Sequence, residues 1–290
     1  MNRVLVTGSS GQIGQRITMK LVSAGFHVIG IGTREAEVVD DSFQYIKFDL
    51  LRQDIDWLIK ETRPHMLVHL AWETKPNLFW SSQDNDSWLN SSKRLINSFK
   101  NGGGEYIVVS GTGAEYNWKS LAPFSESSPE LPESIYGQSK LALLHELRKQ
   151  STPFLWTRTF FQFGDKERTG RFIPSLIDSL LAGREFTIQK PRDIRDFIYV
   201  DDVVGITFSL IAARALGVFN VATGYGISVQ DLGAKVASMM NCEELLNFKT
   251  QIGTPSIVFG DVAKLVNFLG PYSYTCLEEA IRRTIRERGS

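Results

Sequence analysis

The chain has 290 residues, enough for one large domain or two small ones, with 42% apolar and 22% charged residues as in soluble globular proteins. Its 32 basic and 32 acidic residues cancel, which leaves no charge argument for a nucleic-acid or membrane partner. Cys242 and Cys276 form no CxxC pair, the four histidines lack HExxH spacing and no apolar run spans a bilayer, so no disulfide framework or metal site is expected and the protein is placed in the cytoplasm.

Short apolar runs alternate with helical patterns along the first half. Val4 to Val6 reads as a strand, Gly14 to Ser23 as a helix stopped by Gly25, and His27 to Ile31 and Tyr45 to Phe48 as two further strands. Trp57 to Glu61 falls in a helix, followed by strands at Met66 to Leu70 and Tyr106 to Ser110. Ser139 to Lys149 reads as a helix and Phe154 to Phe160 as a sixth strand. This alternation predicts an α/β fold, a Rossmann-type doubly wound parallel sheet covered on both faces. Beyond Gly164 the rhythm breaks into short strands at Phe186 to Ile188, Ile198 to Val200 and Val218 to Val221, with helices at Val229 to Met240 and Leu277 to Arg286. A smaller mixed α/β substrate subdomain is expected there. The division places a dinucleotide-binding domain at 1–165, with 197–222 returning to it, and the substrate subdomain at 166–196 and 223–290.

Between the first strand and the first helix lies Thr7-Gly8-Ser9-Ser10-Gly11-Gln12-Ile13-Gly14. Gly8 suits the tight exit from the strand, Gly11 the close approach of a pyrophosphate, and Gly14 the packing of helix on sheet. The helix N-terminus offers N–H groups and partial positive charge to phosphate, so Gly8, Ser10, Gly11, Gln12, Ile13 and Gly14 are candidate cofactor contacts. NAD sites place an acid at the end of the second strand to hold the ribose 2′-hydroxyl. Here that end reads Gly32-Thr33-Arg34. Arg34 and Thr33 suit a 2′-phosphate, which favours NADP(H) over NAD(H), the alternative being that Glu35 holds the ribose. Asp49, followed by Leu50, fits either an acceptor for the adenine amino group or a helix N-cap.

Tyr136 and Lys140 have the spacing YxxxK, which sets both on one helix face. A nearby ammonium, with an oxidised nicotinamide, is expected to lower the phenol's pKa toward neutrality, so that Tyr136 exchanges a proton with a carbonyl or alcohol oxygen. Ser110-Gly111-Thr112 follows the fifth strand, 24 residues before Tyr136. Strand ends are where open α/β sheets place their sites, and the Thr112 hydroxyl can bind the same oxygen. The plainer alternatives are a turn residue for Thr112 and a half-buried aromatic for Tyr136.

With these blocks the chain resembles the extended short-chain dehydrogenase/reductases, the group of nucleotide-sugar epimerases, dehydratases and 4-ketoreductases. The resemblance rests on Gly8, Gly11, Gly14, Asp49, His69-Leu70-Ala71, Ser110 to Thr112, Tyr136, Lys140 and Arg171-Phe172-Ile173-Pro174, and on Arg195-Asp196-Phe197-Ile198-Tyr199-Val200-Asp201-Asp202 and Phe219-Asn220-Val221. It implies that Leu70, Ala71, Trp72 and Ser110 line the cofactor, and that Phe161, Phe172 and Arg195 meet the substrate. In that group the arginine binds a nucleotide-sugar diphosphate; the alternative is an internal ion pair of Arg195 with Asp201 or Asp202. A homodimer through the helices at Asp84 to Phe99 and Ser139 to Lys149 is also implied. Three departures matter. Phe161 replaces an asparagine that touches the substrate phosphate, Gly113 and Ala114 replace the Asp-Glu pair of dehydratases, and neither cysteine lies near a site block as 3,5-epimerisation needs. The expected activity is NADPH-dependent reduction of a nucleoside-diphosphate 4-keto(-6-deoxy) sugar, in the manner of 4-ketoreductases such as the CDP-abequose synthases. The competing readings are a C4-epimerase with retained NAD(P), a reductase of a small ketone, and a non-catalytic dinucleotide module. Trp80, Trp88, Tyr116, Lys190 and Arg192 are further pocket candidates, with core packing or a solvated loop as the alternative.

Overall fold

The structure, a computed structural model, describes residues 3–34, 41–76 and 78–289. Seven strands form one sheet: β1 (Arg3–Thr7), β2 (His27–Gly32), β3 (Phe43–Lys47), β4 (Met66–His69), β5 (Tyr106–Thr112), β6 (Phe154–Thr159) and, much later, β11 (Gly217–Val221). Their order is β11-β6-β5-β4-β1-β2-β3, and every neighbouring pair is parallel. The chain winds outward from β1 in one direction and from β4 in the other. The carboxyl ends of β1 and β4 therefore border the crevice where such sheets bind ligands.

Both faces are covered, which is why the strands read as nearly continuous apolar runs. On one face α1 (Gln12–Ser23), α6 (Val200–Ala212) and α8 (Ala263–Leu269) bury Ile17, Leu21, Val203, Ile206 and Leu265. On the other, α2 (Ile55–Thr62), α3 (Asp84–Asn101) and α4 (Ile135–Arg148) bury Leu58, Leu95, Phe99, Leu144 and Leu147. The outward residues of α3 and α4, among them Asp86, Asn90, Arg94, His145 and Arg148, are exposed and polar.

A third core lies under α5 (Phe172–Leu181), α7 (Val229–Met239) and α9 (Leu277–Gly289), around Leu176, Ile177, Leu232, Val236 and Ile281. Small strand groups edge it: β7 (Phe161–Phe163) with β10 (Phe197–Tyr199), β8 (Phe186–Ile188) with β13 (Leu246–Phe248), and β9 (Ile194–Arg195) between β12 (Ile227–Ser228) and β14 (Ile257–Val258). Tyr116, Phe124, Phe160 and Val258 fill a seam between this part and the sheet. Among the described residues no helix is long and apolar enough to cross a membrane and no group of His, Cys, Asp or Glu could hold a metal.

Three element ends differ from the sequence expectation in ways that matter. α1 starts at Gln12 rather than Gly14, because Gly11 caps it with extended backbone before any apolar periodicity begins. β5 runs on through Thr112, so Thr112 belongs to the strand itself. α4 starts at Ile135 rather than Ser139, because the Ser134 hydroxyl accepts from Gly137 N at 3.0 Å. Tyr136 thus lies in the first turn of the helix that carries Lys140.

Candidate active site

Gly8 has φ +69°, and a Cβ there would meet Ala71 N at 3.0 Å. At Gly14 a Cβ would lie 2.0 Å from Gly8 O, so the helix presses directly on the turn. Gly11 is different: its Cβ would find only Gly8 O, at 3.1 Å, and the outer side of the turn is open. No side chain caps α1 and no acid sits in its first turn. Open space, uncapped N–H groups and the positive helix end together fit a dinucleotide pyrophosphate. Thr7 secures the neighbouring strand end. Its hydroxyl accepts from Leu70 N at 3.2 Å and Ala71 N at 3.1 Å, and bonds His69 Nδ1 at 2.7 Å. His69 also bonds Ser92 Oγ at 2.8 Å, and burial with the Lys140 charge pushes its pKa down to about 3, so it is a neutral structural link.

A cavity of about 350 Å³ runs from this turn to the end of β5. Gly8, Gln12, Ile13, Gly14, Arg34, Leu70, Ala71, Trp72 and Ser110 line it, together with Thr112, Tyr136, Lys140, Phe161 and Phe172. Ser10, Gly11, Thr33, Asp49, Leu50 and Arg195 are not in its lining. Arg34 is exposed and donates to Ser10 O at 2.7 Å, which seats its guanidinium beside the glycine turn. Glu35, the alternative ribose acid, lies outside the described residues. Asp49 accepts from Leu51 N at 2.9 Å and stands 3.6 Å from Arg52, so its carboxylate shapes a turn, while Leu50 is buried in the core under α2 and α3.

Tyr136 is half-buried in an aromatic box, its ring edge-on to Phe79 at 5.0 Å, Trp80 at 5.8 Å and Trp72 at 6.4 Å. The Thr112 side chain favours the ionised Tyr136 phenol, and its hydroxyl accepts from Ala114 N at 3.2 Å. Glu115 Oε1 accepts in turn from Thr112 N at 2.8 Å. Thr112 therefore both caps a turn and faces the phenol. The expected lowering of the phenol's pKa by Lys140 is not found among the protein's own groups. Burial first, and the Glu115 charge second, push Tyr136 up to about 12, against smaller opposing effects of Arg171 and the Thr112 bond. Burial also lowers Lys140 to about 7. Its ammonium donates to Ser110 O at 2.8 Å and lies 4.0 Å over the Trp72 ring. The resting phenol is a protonated donor.

The carboxylate after Gly113 and Ala114 is Glu115, and it is fully buried behind the cavity, where it receives Arg158 Nε at 2.7 Å and Trp156 Nε1 at 3.1 Å. It is not available for acid–base work on a ligand. Arg195 pairs with neither Asp201 nor Asp202 but with Asp193 at 2.8 Å, and donates to Ile194 O at 2.8 Å and Ser256 O at 2.7 Å. Its guanidinium faces the rings of Trp118 and Phe161. Asp201 instead holds Arg16 at 2.9 Å, and Asp202 accepts from Thr275.

Of the other aromatic candidates, Trp80 lines the cavity, Trp88 packs in the core, and Tyr116 is buried with its hydroxyl on Asn220 at 2.6 Å. Arg192 is bound to Gln251 and Gly253, away from the cavity. Arg171 and Glu167 are among the lining residues that sequence reasoning did not assign to the site. Arg171 stands 4.9 Å over the Phe79 ring and 4.0 Å from Glu167. Glu167 is buried, with Oε2 unpartnered among the described residues, and burial raises its carboxyl to about 7. Arg171 opens the Arg171-Phe172-Ile173-Pro174 block, whereas Glu167 lies in the charged run Asp165-Lys166-Glu167-Arg168, which carries no motif.

Over residues 4–222 the chain matches the sequence profile of the NAD dependent epimerase/dehydratase family. It is 26% identical to a UDP-glucose 4-epimerase of Mycolicibacterium smegmatis, over 98% of this chain and 97% of the relative. It is 24% identical to a dTDP-4-dehydro-6-deoxyglucose reductase of Escherichia coli, again over 98% and 97%. It superposes on the structure of MoeE5 in complex with UDP-glucose and NAD with a TM-score of 0.85, 25% identity and 98% coverage of each chain.

Proposed function

Because the chain belongs to the NAD dependent epimerase/dehydratase family, we propose that it is an NADPH-dependent reductase of a nucleoside-diphosphate 4-keto(-6-deoxy) sugar. The observation that carries this reading is the convergence of Thr112, Tyr136 and Lys140 on the cavity that also contains the glycine turn. The dinucleotide is held by the turn, by Leu70 and Ala71, and by Arg34 at its 2′-phosphate. When bound, the nicotinamide supplies the hydride. Thr112 and Tyr136 bind the keto oxygen, and the neutral phenol gives it a proton as negative charge develops there. Lys140 holds the nicotinamide ribose and stabilises the resulting phenolate. The aromatic box keeps water from the reacting carbon. The residues at 1–165 and 197–222 act as the dinucleotide unit, and those at 166–196 and 223–290 as the substrate unit. We assign the diphosphate to the positive wall that contains Arg171, since the Arg195 guanidinium is already taken up by Asp193.

C4-epimerisation uses the same residues and is favoured by the 26% identical epimerase relative. The two differ in stoichiometry. NADPH absorbance, followed with a panel of nucleotide-linked 4-keto-6-deoxy sugars, falls mole for mole in a reductase. An epimerase interconverts UDP-glucose and UDP-galactose with no net absorbance change, and that outcome overturns the reductase reading. Tyr136→Phe is expected to lower turnover by roughly 10²–10⁴-fold with NADPH binding intact. Near wild-type turnover sinks the mechanism.

A further inference from the structure

We propose that Trp72 is a positioning residue for Lys140, its indole face serving as the counter-group of the buried ammonium and Asn85 locking the indole in place. The proposal deepens the reading of Lys140 as one of the catalytic pair. Lys140 is 2% exposed, and among the described residues no carboxylate lies within ion-pair distance of it. The groups that face it are His69 from β4, held neutral, Glu115 from the turn after β5, already paired with Arg158, and the Tyr136 phenol one helical turn away. Ser110 O takes one of the three donors an ammonium carries. The Glu115 charge favours the ammonium from a distance, and the Trp72 ring centre, 4.0 Å away, is the group in direct contact that stabilises it.

The indole itself is fixed. Trp72 is 8% exposed, and its Nε1 donates to Asn85 Oδ1 at 2.8 Å. Asn85 is 1% exposed and donates to Phe79 O at 2.7 Å and Ser82 O at 2.8 Å. One buried amide thus sets both the indole under the lysine and the backbone that carries Phe79 and Trp80 against Tyr136. Trp88 stacks on Trp72 with ring centres 6.2 Å apart. An indole differs usefully from a carboxylate. It favours the charged lysine in a dry site without occupying an N–H donor, so the donors stay free for ribose hydroxyls, and it adds no negative charge beside the phenol.

The test follows the titration of Lys140 directly, through the Cε resonance of protein labelled with ¹³C-lysine and assigned with Lys140→Arg. Trp72→Phe, which keeps an aromatic face, should leave the midpoint within a few tenths of a pH unit. Trp72→Leu should lower it by about one pH unit, a tenfold change in proton affinity. If the leucine variant does not fold, Trp72→Met, of similar reach and without a π face, is read instead. A midpoint that stays or rises in the leucine or methionine variant overturns the proposal. Lys140→Met tests the underlying reading separately. Unchanged NADPH affinity and turnover there would remove Lys140 from catalysis and leave the titration result standing.

Discussion

Among single residues, Glu167 has the clearest measurable consequence. Its carboxyl is buried, and Arg171 at 4.0 Å is too loose a partner to offset the desolvation, so the pKa rises from 4.5 to about 7. The folded protein therefore holds this proton more tightly than the unfolded chain. Stability from the group is complete below about pH 4.5 and is lost as pH rises through about 7. Glu167→Gln should melt with the wild type at pH 4.5 and be more stable at pH 8 by up to about 3 kcal/mol. Thermal melts at the two values check this; an equal gain at both would assign the effect to packing. Tyr136, Lys140 and Thr112 were legible in the sequence because spacing on one helix and position at a strand end are local properties. Glu167 was not, because its burial depends on Arg288, 121 residues away, which donates to Glu167 O. Tyr116 was misplaced for a similar reason: nothing local says that its hydroxyl reaches Asn220 rather than the cavity.

At the scale of elements, the glycine turn separates fold from function. Gly14→Ala puts a methyl 2.0 Å from Gly8 O, a backbone atom that can only yield by moving strand or helix. We expect a loss of about 3 kcal/mol or more in urea unfolding. Gly11→Ala meets a single carbonyl at 3.1 Å and should fold within about 1 kcal/mol of the wild type. On the proposed placement of the dinucleotide its methyl meets the pyrophosphate, and NADPH affinity should fall by at least about tenfold. Intrinsic fluorescence titration with NADPH distinguishes the two, and full affinity in Gly11→Ala would move the phosphate off this turn. At the end of β2, Arg34→Ala should lower affinity for NADPH about tenfold and leave NADH affinity unchanged. Parallel titrations decide it, and an equal loss for both dinucleotides removes Arg34 from the 2′-phosphate. Strands and helix types were readable because their apolar periods are strong. Helix starts were not, since Gly11 and Ser134 cap with backbone and hydroxyl groups that carry no periodicity.

On the scale of the whole molecule, the alternation of strands and helices made the parallel sheet legible, but not how the last helix closes the site. Arg288 of α9 donates to Asp178 at 2.7 Å, to Glu167 O at 2.8 Å and to Thr169 Oγ1 at 2.9 Å. Its hydrogen bonds, more than its charge, hold the Asp178 carboxyl below the usual carboxylate range. The segment 164–171 is thereby tied to the C-terminus at one end. At the other, Gln12 of α1 donates to Asp165 O at 2.7 Å and Arg16 pairs with Asp165. The cavity wall bearing Glu167 and Arg171 is suspended between the first helix of the chain and the last. Arg288→Ala should cost about 2 kcal/mol, the order of a charged hydrogen-bond set that is mostly buried. More specifically, backbone amides in 164–171 should exchange hydrogen faster while those of β1 and β4 keep their protection, because the bonds Arg288 makes among the described residues go to Asp178, Glu167 and Thr169. NADPH affinity should change little, and affinity for a nucleoside diphosphate sugar should fall, since only the substrate wall has been released. If protection is instead lost evenly across the sheet, Arg288 supports the fold as a whole and the wall is held by its α1 contacts alone.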